Sequence, residues 1–333
     1  MRKKPSCIDV AEMAGVSTAT VSYVFNGRRN ANVPDATKRR VMDAAERIGY
    51  RPNRLAKGLA GGKTHLVGMV TRLDTFDARI ASPIRGELSN RGYQVLLAHN
   101  QTHWELEQRD FEQLLEHQVD ALICISGGWG APERPLVTWV LEAGIPCVIV
   151  NDREASGRID SVVSDNRGGA KAAIDHLVSR GHRRIGHVPG LECVFTGRER
   201  EIGYAEAIRD AGLEYDPDLV QGEGYDIKTG YDGTRKLLAL PNPPSAIFAA
   251  NDANALGVYR AATDLGLRIP DDLAIVGFGN EREAEALQMT TIDQHPDEMA
   301  RVAVERLFVR MRTMELPAVT QTVPVTLLPG RTS

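Results

Sequence analysis

Polar or aromatic residues close most of the short apolar runs in this chain. Thr71 to Asp74 follow "HLVGMV", Ser126 to Trp129 follow "ALICI", and Asn151 to Arg153 follow "CVIV". Asp165 follows "SVVS", Asn251 and Asp252 follow "AIFAA", and Gln294 follows "TTID". Hydroxyls, amides and carboxylates brought together would hold a small polar molecule by hydrogen bonds. Asn and Asp also cap helices in such positions, and for Asp165 and Asp252 both readings stand. Arg200 offers five N–H donors in a planar fork, suited to adjacent sugar hydroxyls or to a carboxylate. A surface ion pair with Glu199 or Glu201 is its alternative. Arg200 follows "TG" in an expected loop and opens the helix "EREIGYAEAIRDAG". Its side chain is therefore expected not to touch the core. Tyr225, Phe195 and Trp129 supply faces on which a sugar ring stacks.

Other chemistries find little support. The chain has no G-x-S-x-G, no GxxxxGK[ST] and no H-E-x-x-H, so catalysis is not expected. Cys7, Cys124, Cys147 and Cys193 lack CxxC spacing and read as small buried hydrophobes. His99 and His103 in "HNQTH" have no evident third ligand. Neither a metal nor a cofactor is expected.

The elements that must position the polar residues are strands and helices in alternation. "HLVGMV", "YQVLLAH", "ALICIS", "CVIVND", "SVVSD", "RIGHVPG", "AIFAAN" and "LAIVGFG" are short apolar runs separated by amphipathic stretches such as "LEQRDFEQLLEHQ". That pattern predicts parallel strands covered by helices on both faces. Ligands in open sheets of this kind bind beyond the carboxyl ends of strands, where these polar residues fall.

The first 63 residues are of another kind. They hold 13 Lys/Arg against 5 Asp/Glu, a formal +8, so the rest of a chain totalling -4 carries -12. A basic head suggests a polyanionic partner, although exposed Lys and Arg also make an ordinary solvated face. Ser6 and Asp9 form an S-x-x-D capping box before a first helix with Ile8, Val10, Ala11 and Ala14 on its apolar side, and Gly15 breaks it. Ser17 caps a second helix running to Asn26. Val16, Val21, Val24 and Phe25 share one side of it, and Thr18, Ala19, Ser22 and Tyr23 the other. Small residues in its first turn let the backbone approach base edges in a major groove. Ser17, Thr18, Ala19, Thr20, Ser22, Tyr23 and Asn26 are the expected DNA contacts. A third helix is predicted over Asp35–Ile48, stopped by "GYRP", and the glycine-rich "PNRLAKGLAGGKT" after it is a marginal helix at most.

"IDVAEMAGVSTATVSYVFNG" and "GYRPNRLAKGLAGGKT" resemble the DNA-binding signature and hinge of the lactose-repressor (LacI) family of bacterial transcription regulators. "DNRGGAKAAIDHLVSRGHRRIGHVPG", "GREREIGY", "AIFAANDANALG", "LRIPDDLAIVGFGN" and "LQMTTIDQHPDEMARVAVERL" extend the resemblance to the family's effector-binding core. The resemblance implies an all-α helix-turn-helix head with a hinge helix, then an α/β periplasmic-binding-protein-like core of two doubly wound parallel-sheet lobes. It implies a hinge that folds on DNA, with Leu59 wedged into the minor groove and Asn53 among the DNA contacts, and a homodimer on a roughly palindromic double-stranded operator. Carried over by position, Arg200, Asn251 and Gln294 hold an effector, expected to be a carbohydrate, with Tyr225 flanking it. Thr71, Trp129, Asn151, Phe195, Asp252 and Asn280 complete the expected effector site. The chain departs from the pattern at Tyr23, where the family commonly has arginine, in the longer "GRRNANVPD", at Gly279, where an aspartate is usual, and in "TRLDTFDARIAS".

The expected domains are a head at 1–52, a hinge at 53–63 and a core at 64–333. Lobe 1 of the core is expected at about 64–163 and 293–321, and lobe 2 at about 164–292 and 322–333. The basic N-terminus has no apolar segment after it and no 18 apolar residues run together, so a cytoplasmic, nucleoid-associated protein without membrane contact is expected. The alternative, a solute-binding protein of a transport system, would share the core but carry a signal peptide and no basic head. "LLPGRTS" offers no heptad tail, which disfavours a coiled-coil tetramer.

Overall fold

A computed structural model describes residues 5–26, 33–51, 62–72, 75–99, 104–126, 135–154 and 156–333. Residues 1–64 and 65–333 form two compact units. Asn53, Leu59, His103 and Trp129 lie outside the described residues, as does most of the expected hinge.

The first unit is built on three helices, α1 (Cys7–Ala14), α2 (Thr18–Asn26) and α3 (Asp35–Ile48). Ser6 accepts the Asp9 amide while the Asp9 carboxylate accepts the Ser6 amide, closing the capping box at the start of α1. Gly15 and Gly49 end α1 and α3 in the left-handed conformation that a Cβ disfavours. Val10, Ala11, Ala14, Val21, Val41, Ala44 and Ala45 make the core, with Val16, Val24, Phe25 and Ile48 packed on it. Ile8 does not join them. It is 59% exposed, because an eight-residue helix turns only one narrow stripe inward and Val10, Ala11 and Ala14 occupy it.

The second unit carries a six-stranded parallel sheet in the order β10-β5-β4-β3-β1-β2. Its strands are β1 (Leu66–Thr71), β2 (Gln94–His99), β3 (Ala121–Ile125), β4 (Cys147–Val150), β5 (Asp160–Ser164) and β10 (Thr320–Val323). A second parallel sheet holds β6 (Ile185–Val188), β7 (Ala246–Ala249) and β8 (Ala274–Val276). The central strands are buried on both faces, as their unbroken apolar runs predict. The outer strands β2 and β10 are half exposed or more, because an edge strand has fewer neighbours to cover it. A bridge from Val276 to Thr290 extends the second sheet toward β9 (Thr291–Asp293), which pairs antiparallel with β11 (Thr326–Leu328). Neither strand has the length or apolar run that marks a strand in the sequence.

The chain passes between the sheets after β5, after β9 and after β10. Helix α12 (Pro296–Arg310) returns to the first sheet, where Met299, Ala300, Ala303, Val304 and Leu307 join its core. The expected lobe boundary at 321/322 cuts through β10, whose Thr322 and Val323 still pair with Val163 and Ser164. Cys124 and Cys147 are buried with their sulfurs 3.9 Å apart, but Cys7 is half-buried and Cys193 exposed, so only the strand cysteines behave as core residues. Among the described residues no helix is long and apolar enough to cross a membrane, and no cluster of three His, Cys, Asp or Glu is placed to hold a metal.

Candidate functional site

In the head, the Ser17 hydroxyl accepts the Thr20 amide at 3.1 Å and pairs with the Thr20 hydroxyl at 2.9 Å, capping α2. Ser17, Thr18, Ala19, Ser22 and Tyr23 are exposed, while Thr20 is half-buried and engaged in the cap. Val21 is fully buried on the opposite side. Thr18, Ala19, Ser22 and Tyr23 thus make one exposed face, small in its first turn, and Asn26 is the last residue of the helix.

In the core, the ends of β1, β3 and β4 face those of β7 and β8 across a cavity of about 110 Å³. Arg72, Asp77, Ser126 and Asn151 line it from the first lobe, and Thr196, Arg200, Tyr225, Asn251, Phe278 and Glu281 from the second, with Gln294 at a crossing segment. Ser126 (φ 50°) and Asn151 (φ 61°) both end their strands in the left-handed region. Such backbone is uncommon outside glycine and clusters where side chains must be aimed. The Asn151 amide nitrogen donates to Ser126 Oγ at 3.0 Å, and among the described residues its buried Oδ1 has no partner.

Arg200 is 3% exposed. Its Nε donates to Asn166 Oδ1 at 2.8 Å, Nη1 to the Ala250 carbonyl at 2.6 Å and Nη2 to Gln294 Oε1 at 3.0 Å. Three of its five N–H groups are thereby used, leaving two at the cavity. Burial lowers its pKa to about 10. The surface ion-pair alternative is overturned, since Glu199 pairs with Arg167 instead. Helix α8 (Phe195–Asp210) starts five residues before Arg200, so Arg200 sits in its second turn and not in a loop. Nor does it avoid the core, because its guanidinium lies against the buried Phe278 ring.

The Tyr225 hydroxyl bonds to Thr196 Oγ1 at 2.9 Å, and burial raises its pKa. The ring packs against Gly190, where a Cβ would come within 2.4 Å of Tyr225 Cζ. Asn251 caps α10 (Asp252–Asp264), accepting the Asn254 amide at 2.8 Å and donating to the Tyr225 carbonyl at 3.0 Å. Gln294 Oε1 also accepts the Ser164 hydroxyl at 3.1 Å.

Four expected residues stand elsewhere. Thr71 is buried behind the cavity and donates to Asp77 Oδ2 at 3.0 Å. Asp252 is buried and neither caps α10 nor lines the cavity. It braces the loop after β8, accepting the Glu281 amide at 2.7 Å and the Thr291 hydroxyl at 2.6 Å. Burial raises its pKa despite those bonds. Asn280 is absent from the cavity lining, and Phe195 lies in a separate groove under the Arg153 guanidinium. Asp165 takes the capping role, accepting the Gly168 amide at 2.9 Å. Sequence reasoning missed Asp77, Thr196, Phe278 and Glu281. Only Phe278 adjoins a recognised strand end, in "GFGN"; the others sit within or just before helices.

A family model described as bacterial regulatory proteins of the lacI family matches residues 7–53, and a periplasmic binding protein-like domain matches 174–333. Catabolite control protein A of Priestia megaterium is 34% identical over 305 residues, covering 90% of each chain. The solved structure of a transcriptional regulator CelR-cellobiose complex is 31% identical with a TM-score of 0.75, covering 99% of this chain and 100% of that one. A lac repressor dimer bound to operator and the anti-inducer ONPF superposes with a TM-score of 0.87 at 26% identity, covering 99% of both.

Proposed function

This chain belongs to the LacI family of bacterial regulatory proteins, and from that membership we propose that a neutral carbohydrate in the cavity of its core controls how tightly its head holds operator DNA. The protein is a DNA-binding transcriptional regulator and not the solute-binding component of a transporter. It acts as a repressor, in the cytoplasm and associated with the nucleoid. The proposed organisation is a head at 1–52, a hinge at 53–63 and a core at 64–333. Two chains form a homodimer on an approximately palindromic site, in keeping with the operator-bound dimer of the lac repressor.

The lining of the cavity carries the carbohydrate reading. Arg72 and Arg200 face Asp77 and Glu281, so cationic and anionic side chains balance, and Asn151 Oδ1 waits for a donor. Sugar hydroxyls donate and accept and so suit both signs, whereas a phosphate would meet two carboxylates. Tyr225, Phe278, Phe76 and Val194 supply apolar surface for the C–H face of a sugar ring. The cellobiose bound by CelR belongs to the same ligand class. Arg200, Tyr225, Asn151, Asn251 and Gln294 are the proposed ligand contacts, and Thr18, Ala19, Ser22 and Tyr23 the proposed base and phosphate contacts. Effector binding shifts lobe geometry and thereby the hinge, coupling two sites through one bistable element.

Fluorescence anisotropy of labelled operator DNA, titrated with the protein beside a panel of neutral sugars and their phosphates, tests this reading. A neutral sugar that shifts the operator affinity supports it. A response only to phosphorylated sugars or other anions overturns the neutral-ligand assignment.

A further inference from the structure

Away from the segments where the chain crosses, two side chains of α4 (Thr75–Asn90) in the first lobe bond to the loop after β8 of the second. Arg79 Nη1 donates to the Gly279 carbonyl at 2.8 Å and also to the carbonyl of Asn280. One turn earlier, Thr75 Oγ1 donates to Glu281 Oε2 at 2.7 Å. A spacing of four puts Thr75 and Arg79 on one face of the helix.

The receiving loop is shaped for a guanidinium. Successive carbonyls of an extended chain point to opposite sides, yet here two adjacent ones meet a single nitrogen. Gly279 at φ 137° and Asn280 at φ 54° bring this about. A Cβ at 279 would be strained by that φ, and it would lie 3.3 Å from Asp252 Oδ2 and 3.4 Å from Glu281. The loop is pinned to its own lobe, because Asp252 holds the Glu281 amide and Thr291, and the Thr291 hydroxyl accepts the Asn280 amide at 3.3 Å. Arg79 itself is absent from the cavity lining.

We propose that Arg79 is a positioning residue, a latch that sets the distance between the lobes before any ligand binds. The inference rests on reading the cleft as the effector site, since a ligand touching both lobes acts along the coordinate that Arg79 restrains. Loosening the latch moves the ligand-free protein toward separated lobes, and a ligand that needs the closed form then binds with an apparent affinity reduced by the fraction closed. Lysine carries the charge without the planar fork and makes a poor substitute for two carbonyl acceptors.

The test is an inter-lobe distance measured by double electron–electron resonance on the ligand-free full chain. Nitroxides go on Ser89 in the first lobe and Lys236 in the second, in a Cys7→Ala, Cys193→Ser background diluted with unlabelled protein. A second pair within the first lobe, Ser89 and Glu142, is the control. Arg79→Ala and Arg79→Gln should lengthen and broaden the inter-lobe distribution and leave the control unchanged, with Arg79→Lys only partly restoring the parent distance. An inter-lobe distribution like the parent's in both variants, or an equal change in the control pair, overturns the latch. No ligand enters this experiment, so its failure leaves the carbohydrate reading to be decided by the anisotropy titration.

Discussion

The guanidinium carbon of Arg200 lies 3.8 Å from the centroid of the Phe278 ring. One cation thus belongs both to the cavity, through its two spare donors, and to the packing of the second lobe, through the ring and its bonds to Asn166, Ala250 and Gln294. The ring face replaces part of the hydration that a buried cation loses, and among the described residues no carboxylate bonds it directly.

Arg200→Ala should therefore weaken the core as well as abolish the effector response. Three buried acceptors lose a charged donor, which costs about 2–4 kcal/mol. Urea unfolding of the variant checks this. A midpoint equal to the parent's would return Arg200 to a ligand-only role.

His187 gives the core a pH dependence. It is fully buried between the rings of Tyr204 and Phe248, bonded through Nδ1 to the Phe248 carbonyl, and burial lowers its pKa to about 4. At pH well above about 6.5 it is neutral in both folded and unfolded chains and contributes no pH dependence. As pH falls from about 6.5 toward 4 the unfolded chain takes up a proton that the folded one refuses, and stability drops by up to about 3 kcal/mol. His187→Phe should flatten that part of the pH profile of unfolding free energy. An unaltered slope would exclude His187 as its source.

Gly190→Ala should act through Tyr225. The new methyl would meet the ring at 2.4 Å, so the ring must leave its place beside Thr196, at about 1–3 kcal/mol of overpacking. The crystal structure of the variant should show Tyr225 displaced and the Thr196 bond broken. A Tyr225 ring in its original place would contradict this account.

Operator binding should be strongly salt-dependent, since the first 63 residues carry +8. Each phosphate neutralised contributes about -0.9 to the slope of log K against log salt. A flat response in anisotropy titrations from low to moderate salt would rule out phosphate contacts by the head.

Base choice should lie in the exposed first turn of α2. Exchanging Thr18 and Ala19 should change which operator is preferred while leaving the melting of the head near the parent's, because neither side chain is in its core. Selection from a randomised operator library reads the preference directly. Identical preferences would move base recognition off these two residues.

The helices of the head and the buried strands were legible in the sequence because their signals are local. The Ser6–Asp9 box, the glycines after Ala14 and Ile48 and the apolar spacing of Val41, Ala44 and Ala45 act within a turn or two, and α3 occupies the predicted Asp35–Ile48. The apolar runs likewise become β1 to β8, most of them ending at or just before polar residues. Tertiary structure alone decided what those residues do. Asp252 and Asn251 are neighbours, yet one braces Glu281 and Thr291 while the other caps α10 beside the cavity, since Asn251 is the extended N-cap and Asp252 the first helical residue, so their side chains leave the backbone in different directions. Arg200 reads like a surface residue between two glutamates until α8 packs it against Phe278. Asp77 and Glu281 reach one cavity from opposite lobes, and Arg79 meets carbonyls 200 residues away. Contacts of that separation leave no periodic or capping signal in the chain, because they exist only once the two sheets face each other.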